Sequence, residues 1–142
     1  MERFTMGKLA LLITSGNFEK LNTAALLASG AIANEHKVLV FFMNDSVWAL
    51  RKGVYERNRA MYSIFPDVIR KVEAADKSGK LQVWYKLFPE LKELGEIKII
   101  ACGLMTDIFG LEKKDLVDFV DDIAGVAYFT AEAMESDQVM TI

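Results

Sequence analysis

Apolar positions along the chain fall into short continuous runs separated by stretches with helical spacing, and this alternation predicts the fold. Lys8 to Ser15 reads Lys-Leu-Ala-Leu-Leu-Ile-Thr-Ser, a run without polar alternation, as expected of a strand buried on both faces. Gly16-Asn17 breaks it. Phe18, Leu21, Ala25, Ala28 and Ile32 then recur at spacings of three and four, which predicts an amphipathic helix of about four turns. Asn34-Glu35-His36 closes that helix, and Val38 to Met43 predicts a second buried strand. Two such strands joined by one long helix form a right-handed βαβ unit, so the sheet is expected to be parallel.

The middle of the chain is less regular. Val54, Met61, Phe65, Val68 and Val72 fit helical spacing between Val47 and Gly79. Pro66 is expected to start a new helix at its first turn, and Ser78-Gly79 to end it. Leu81 to Leu94 is again helical in pattern, with Pro89 as a restart and Gly95 as the stop. Ile97 to Ala101 predicts a third strand, and Leu104 to Phe109 a short helix stopped by Gly110. Glu112 to Phe119 reads as a further helix, Val120 to Ala124 as a short fourth strand, Val126 to Ser136 as an amphipathic helix and Gln138 to Ile142 as a final strand. The alternation defines an α/β chain: one domain over residues 1–142, with a mostly parallel open sheet of about five strands and helices on both faces.

Composition narrows the function classes. Seventeen Lys and Arg against 20 Asp and Glu leave a net charge of −3, which argues against a nucleic-acid partner. The basic and aromatic run Arg51-Lys52, Tyr55, Arg57, Arg59, Tyr62 is therefore read as an amphipathic covering helix. The charge is unevenly spread: residues 51–80 carry eight basic and four acidic side chains, residues 112–142 two basic and eight acidic. Such opposed patches can steer partners or copies together. With one cysteine, Cys102, and one histidine, His36, an internal disulfide, a CxxC pair and a cysteine-rich or HExxH metal site are excluded. No metal is expected. A lone thiol suits a reducing, cytoplasmic compartment, no run is long enough to span a membrane, and Met1 to Gly7 lacks the basic leader of a signal peptide.

In an open parallel sheet, ligands bind at the carboxyl ends of the strands. That rule selects Ser15-Gly16-Asn17, Met43-Asn44-Asp45-Ser46 and Cys102-Gly103. His36 precedes the second strand and falls on the opposite rim, so no base is available for a Cys–His or Ser–His pair. Cys102 is expected at a helix N-terminus, where the dipole and unpaired N–H groups lower a thiol pKa; otherwise it is a small buried hydrophobe. Gly103 lets the backbone turn closely. Thr106, one helical turn on, is placed for its hydroxyl to reach the sulfur, whereas Asp107 points elsewhere. Met43 and Met105 supply polarizable walls. Thr14-Ser15-Gly16-Asn17 is faintly similar to the FMN-phosphate loop of flavodoxins, but Phe18 and Glu19 stand where further hydroxyls belong. No flavin or other cofactor is expected; an FMN- or nucleotide-binding protein, or an oligomeric interaction module, is the alternative reading. Trp84, Tyr85 and Phe88 form an aromatic cluster suited to core packing or to a subunit interface.

Ala101-Cys102-Gly103, Met105-Thr106-Asp107, Phe109-Gly110-Leu111, Asp115-Leu116 and Gly125-Val126-Ala127 resemble the DsrE/DsrF-like family of sulfur carriers; residues 45–95 fit that pattern poorly. The resemblance implies a flavodoxin-related fold, homo-oligomeric assembly, and a cysteine carrying sulfane sulfur or a thiosulfonate, exchanged with a small TusA-type carrier protein and low-molecular-weight sulfur donors. Only Cys102 matches the carrier position. With no second cysteine, an internal relay is excluded and peroxidase chemistry is disfavoured.

Overall fold

The computed structural model describes residues 6–142; Met1 to Thr5, on which much of the leader reading rests, lie outside the described residues. The described residues form one five-stranded sheet in the order β4-β3-β2-β1-β5. The strands are β1 (Lys8–Ile13), β2 (Lys37–Phe42), β3 (Ile97–Cys102), β4 (Asp122–Ala124) and β5 (Gln138–Thr141), and every pairing is parallel. The apolar runs are strands because both faces of the sheet are covered. Phe41 meets Phe129 of helix α6 (Val126–Met134) at 5.0 Å between ring centroids, and its neighbour Phe42 meets Phe88 of α4 (Trp84–Leu94) at 6.1 Å. Successive strand residues point to opposite faces, so α4 and α6 lie on opposite sides. Helix α1 (Phe18–Ala33) packs beside α4. Gly95, which caps α4, is required there because a Cβ would come within 2.9 Å of Ile32 Cγ2.

Several expected elements take another form. Between α2 (Asp45–Ala49) and α3 (Pro66–Ser78) the chain forms turns and then irregular backbone, rather than the helix its spacing predicts. Side chains fasten this segment: Asn58 Nδ2 donates to the Gly16 carbonyl at 2.7 Å, and Arg59 Nε to Asp76 at 2.7 Å. Pro66 opens α3 and Gly79, at φ 79°, closes it, as expected. Pro89 does not restart a helix; α4 runs through it. The buried face of Trp84, Leu87, Phe88 and Leu91 holds the helix despite the missing N–H.

Glu112 to Phe119 holds only a single 3₁₀ turn, Lys113–Asp115, closed by a capping box between Glu112 and Asp115. Leu116 and Val117 then run extended, with Val117 N donating to Leu50 O at 2.8 Å and Leu116 bridging Arg51. A turn closed by Val120 N on the Val117 carbonyl follows, and Leu116, Val117, Phe119 and Val120 are buried. Trp84 and Phe88 are fully buried, so this cluster is core and not a subunit face. Exposed apolar residues lie elsewhere, and Tyr62, Ile64, Phe65 and Val68 are among them, close together in the chain. Among the described residues, no helix is long and apolar enough to cross a membrane.

Candidate functional site

The sheet register brings the three selected loops together. Ile13 pairs with Phe42, Phe42 with Ala101, and Cys102 with Ala124, so the residues after β1, after β2 and at the end of β3 emerge along one edge. His36 lies at the other edge, where its Nδ1 accepts the Gly7 N–H at 2.7 Å.

The first two loops are stitched to each other. Gly16 N donates to Asp45 Oδ1 at 2.8 Å. The Ser46 hydroxyl, fully buried, reaches the carbonyls of Ile13 at 3.0 Å and Met43 at 2.6 Å. Ser15 Oγ takes the Asn17 N–H at 3.2 Å, so Asn17 stands at the N-cap of α1 while its own side chain makes no capping bond. Asn44 holds φ 56° and ψ −143°, a region that costs a non-glycine residue about 1–3 kcal/mol and clusters at functional sites. Gly16 is fixed by sterics, since a Cβ there would sit 2.8 Å from the Asp45 carbonyl oxygen. Gly16→Ala is therefore expected to lower stability by about 1–3 kcal/mol through the displaced loop, read as a fall in the urea midpoint at unchanged slope.

At the third loop, Cys102 closes β3 and forms the N-cap of helix α5 (Gly103–Phe109). It is wholly buried. Thr106, also buried, spends its hydroxyl on the Gly103 carbonyl at 2.9 Å; no hydrogen bond joins it to the sulfur, contrary to the expectation from spacing. The acceptor is the backbone carbonyl three residues back, as is common for helical threonine. A Cβ at Gly103 would meet nothing closer than 3.5 Å, so close approach does not demand glycine at that position. Met43 and Met105 are half-buried against the core. Helix α5 is short and half open to solvent: Leu104, Asp107 and Ile108 are exposed, and Gly110 ends it at φ 68°.

Sequence reasoning missed what surrounds these loops. Arg51 stacks its guanidinium 3.3 Å from the Trp48 ring centroid, and Trp48 meets Phe109 of α5 at 5.4 Å. Burial alone would lower the Arg59 pKa, but its hydrogen bonds to Asp76 and to the Tyr85 hydroxyl outweigh that and raise it. The signal available was Gly53, which interrupts the supposed basic helix. Among the described residues, no cluster of His, Cys, Asp or Glu is arranged to hold a metal ion.

The fold and this edge define an α/β protein with a parallel sheet and one thiol at a strand's carboxyl end. Residues 58–141 match the DsrE/DsrF/DrsH-like family, and the chain belongs to that family. The match takes in α3 and α4, beyond the segment whose residues carried the resemblance. The chain is 27% identical over 147 aligned positions to the uncharacterized protein YrkE of Bacillus subtilis, covering 88% of this chain and 90% of that protein. It is 28% identical over 151 positions to the sulfur carrier protein DsrE2 of Allochromatium vinosum, covering 92% and 94%. A solved structure of MTH1491, a protein of unknown function from Methanobacterium thermoautotrophicum, superposes with a TM-score of 0.65 at 14% identity, covering 94% of this chain and 98% of that one; this likeness concerns the fold.

Proposed function

We propose that this protein traffics sulfur and that Cys102 carries it. The observation behind the reading is the position of the chain's one cysteine, at the carboxyl edge of the sheet and inside the family-matched segment. A relative of similar length is named a sulfur carrier, which supports the role. In the reaction, the Cys102 thiolate attacks the sulfane sulfur of a donor such as thiosulfate. The new sulfur–sulfur bond forms as the donor's breaks, and sulfite leaves with the electron pair. The product persulfide passes its outer sulfur to an acceptor thiolate by the same exchange, which suits a small TusA-type carrier, and Cys102 returns as thiolate. No oxidant enters either step.

Burial of the sulfur sets a condition on this chemistry: α5 must lift for donor and acceptor to reach it. Once α5 closes again, the persulfide is buried with Cys102 and shielded from stray thiols. The exposed apolar residues Tyr62, Ile64, Phe65 and Val68 support assembly into homo-oligomers. The test is mass spectrometry after incubation with polysulfide, thiosulfate or tetrathionate. Wild type is expected to gain sulfur-containing mass, lost on adding a reducing thiol, and Cys102→Ser to gain none. Wild type that stays unmodified by every donor, while the denatured chain reacts, overturns the reading.

A further inference from the structure

A second feature of the carboxyl edge stands apart from Cys102: a cavity of about 450 Å³ between the β1–α1 loop, α2 and the turns after it. Its charged walls are Arg51, Arg57 and Asp45, and Asn17 and Trp48 complete the part used here. Arg51 is held in place. Its guanidinium stacks on Trp48 and its Nε donates to the Trp48 carbonyl at 3.0 Å, which leaves its terminal amino groups without hydrogen-bond partners among the described residues. The Arg57 guanidinium and the Asn17 side chain likewise have no hydrogen-bond or ion-pair partner among the described residues. The frame around them is fixed by the Asn58–Gly16 bond and by Phe18 N donating to Ala60 O at 2.8 Å. The cavity therefore presents unspent donors on a preformed scaffold, the condition under which binding loses least to ordering.

We propose that this cavity binds a small amino dicarboxylate of di- or tripeptide size. Two guanidinium forks match two carboxylates, since such pairs form charge-assisted, often bidentate hydrogen bonds. Asp45 argues against a simple phosphate or sulfate, because its exposed carboxylate repels a compact dianion and welcomes an ammonium group. The wall is thus two positive and one negative, the complement of a ligand with two carboxylates and one ammonium. The volume lies within the range of small-molecule sites and exceeds an inorganic oxyanion's needs. The inference holds whether or not Cys102 carries sulfur.

The experiment is isothermal titration of the full chain with glutathione, glutamate, inorganic phosphate and AMP as probes. Glutathione is expected to bind best. Arg57→Gln, on an exposed side chain, should weaken it at least tenfold with the melting temperature unchanged. Asp45→Asn, which keeps an oxygen to accept the Gly16 N–H, should weaken glutathione and strengthen phosphate. Cys102→Ser should leave the affinity as it was, separating this site from the thiol. Absence of glutathione binding at millimolar concentration, an Arg57→Gln variant that binds as wild type, loss of binding in Cys102→Ser, or tighter binding of phosphate or AMP than of glutathione would each overturn the assignment.

Discussion

Cys102 in the folded protein is expected to react with a small alkylating reagent about 100-fold more slowly than in the denatured chain. The sulfur has no solvent exposure, so on the proposed reading only molecules with α5 lifted react. Local openings cost less than global unfolding, and about 2.7 kcal/mol of opening corresponds to that factor. Gly110→Ala should recover part of the rate. Residue 110 sits at φ 68°, where a Cβ costs roughly 1–2 kcal/mol, and that strain is released when α5 comes away. A rise of about tenfold in the native alkylation rate, with a smaller proportional loss of global stability, is the expected result. A native rate equal to the denatured one would show that the sulfur is open. A native rate that tracks global unfolding alone would remove the lifting step on which sulfur transfer depends.

The largest loss of stability is expected at Trp84. Its ring is fully buried and meets Tyr55, Tyr85 and Phe119 edge-on, at centroid distances of 6.5, 5.8 and 6.0 Å. Truncation to alanine removes those contacts and leaves a large void, which costs about 3–5 kcal/mol. Set against a total stability of roughly 5–15 kcal/mol, that is a large fraction of what holds the fold. Trp84→Phe should cost much less. The indole Nε1 is buried without a hydrogen-bond partner, so phenylalanine gives up ring area but also relieves an unsatisfied donor. Urea unfolding followed by circular dichroism would measure both. If the two variants are equally destabilised, the indole is not confined as the ring contacts require.

The strands were legible because burial on both faces leaves a simple mark: unbroken apolar runs such as Leu9 to Ile13 and Val38 to Phe42. Helix ends were legible where glycine or proline has one conformational use, as at Pro66, Gly79 and Gly110. The segments from Leu50 to Phe65 and from Glu112 to Val120 were not. Their apolar residues sit at intervals a helix would also use, and what decides between the forms is non-local: Asn58 reaching Gly16, and Val117 reaching Leu50. The site divided along the same line. Periodicity and the strand-end rule brought Cys102, Ser15-Gly16-Asn17 and Asn44 to one edge of the sheet. They could not foresee that the Thr106 hydroxyl would turn to Gly103, or that Trp84 would face inward, because an aromatic cluster reads alike in a core and at an interface. Arg51 and Arg57 were read as part of a solvated helix face, and only the turn at Gly53 brings them to a common cavity.

The pairing of β1 with β5 bears on how the molecule assembles. Leu9 lies opposite Gln138, and Thr14 and Ile142 are joined through the backbone, so the partner on one side of β1 is synthesised after the other four strands of the sheet. Strands β1 to β4 follow one another across the sheet in chain order and can add successively. The outer edge of β1 must meanwhile stand unpaired, its N–H and C=O groups open to any other extended chain. Such long-range closure is slow, because loop entropy is lost before the contacts form. During that interval the nascent chain is at its most vulnerable to pairing with a neighbour. Docking of α6 and β5, which also lays Phe129 over Phe41, is the event that ends it.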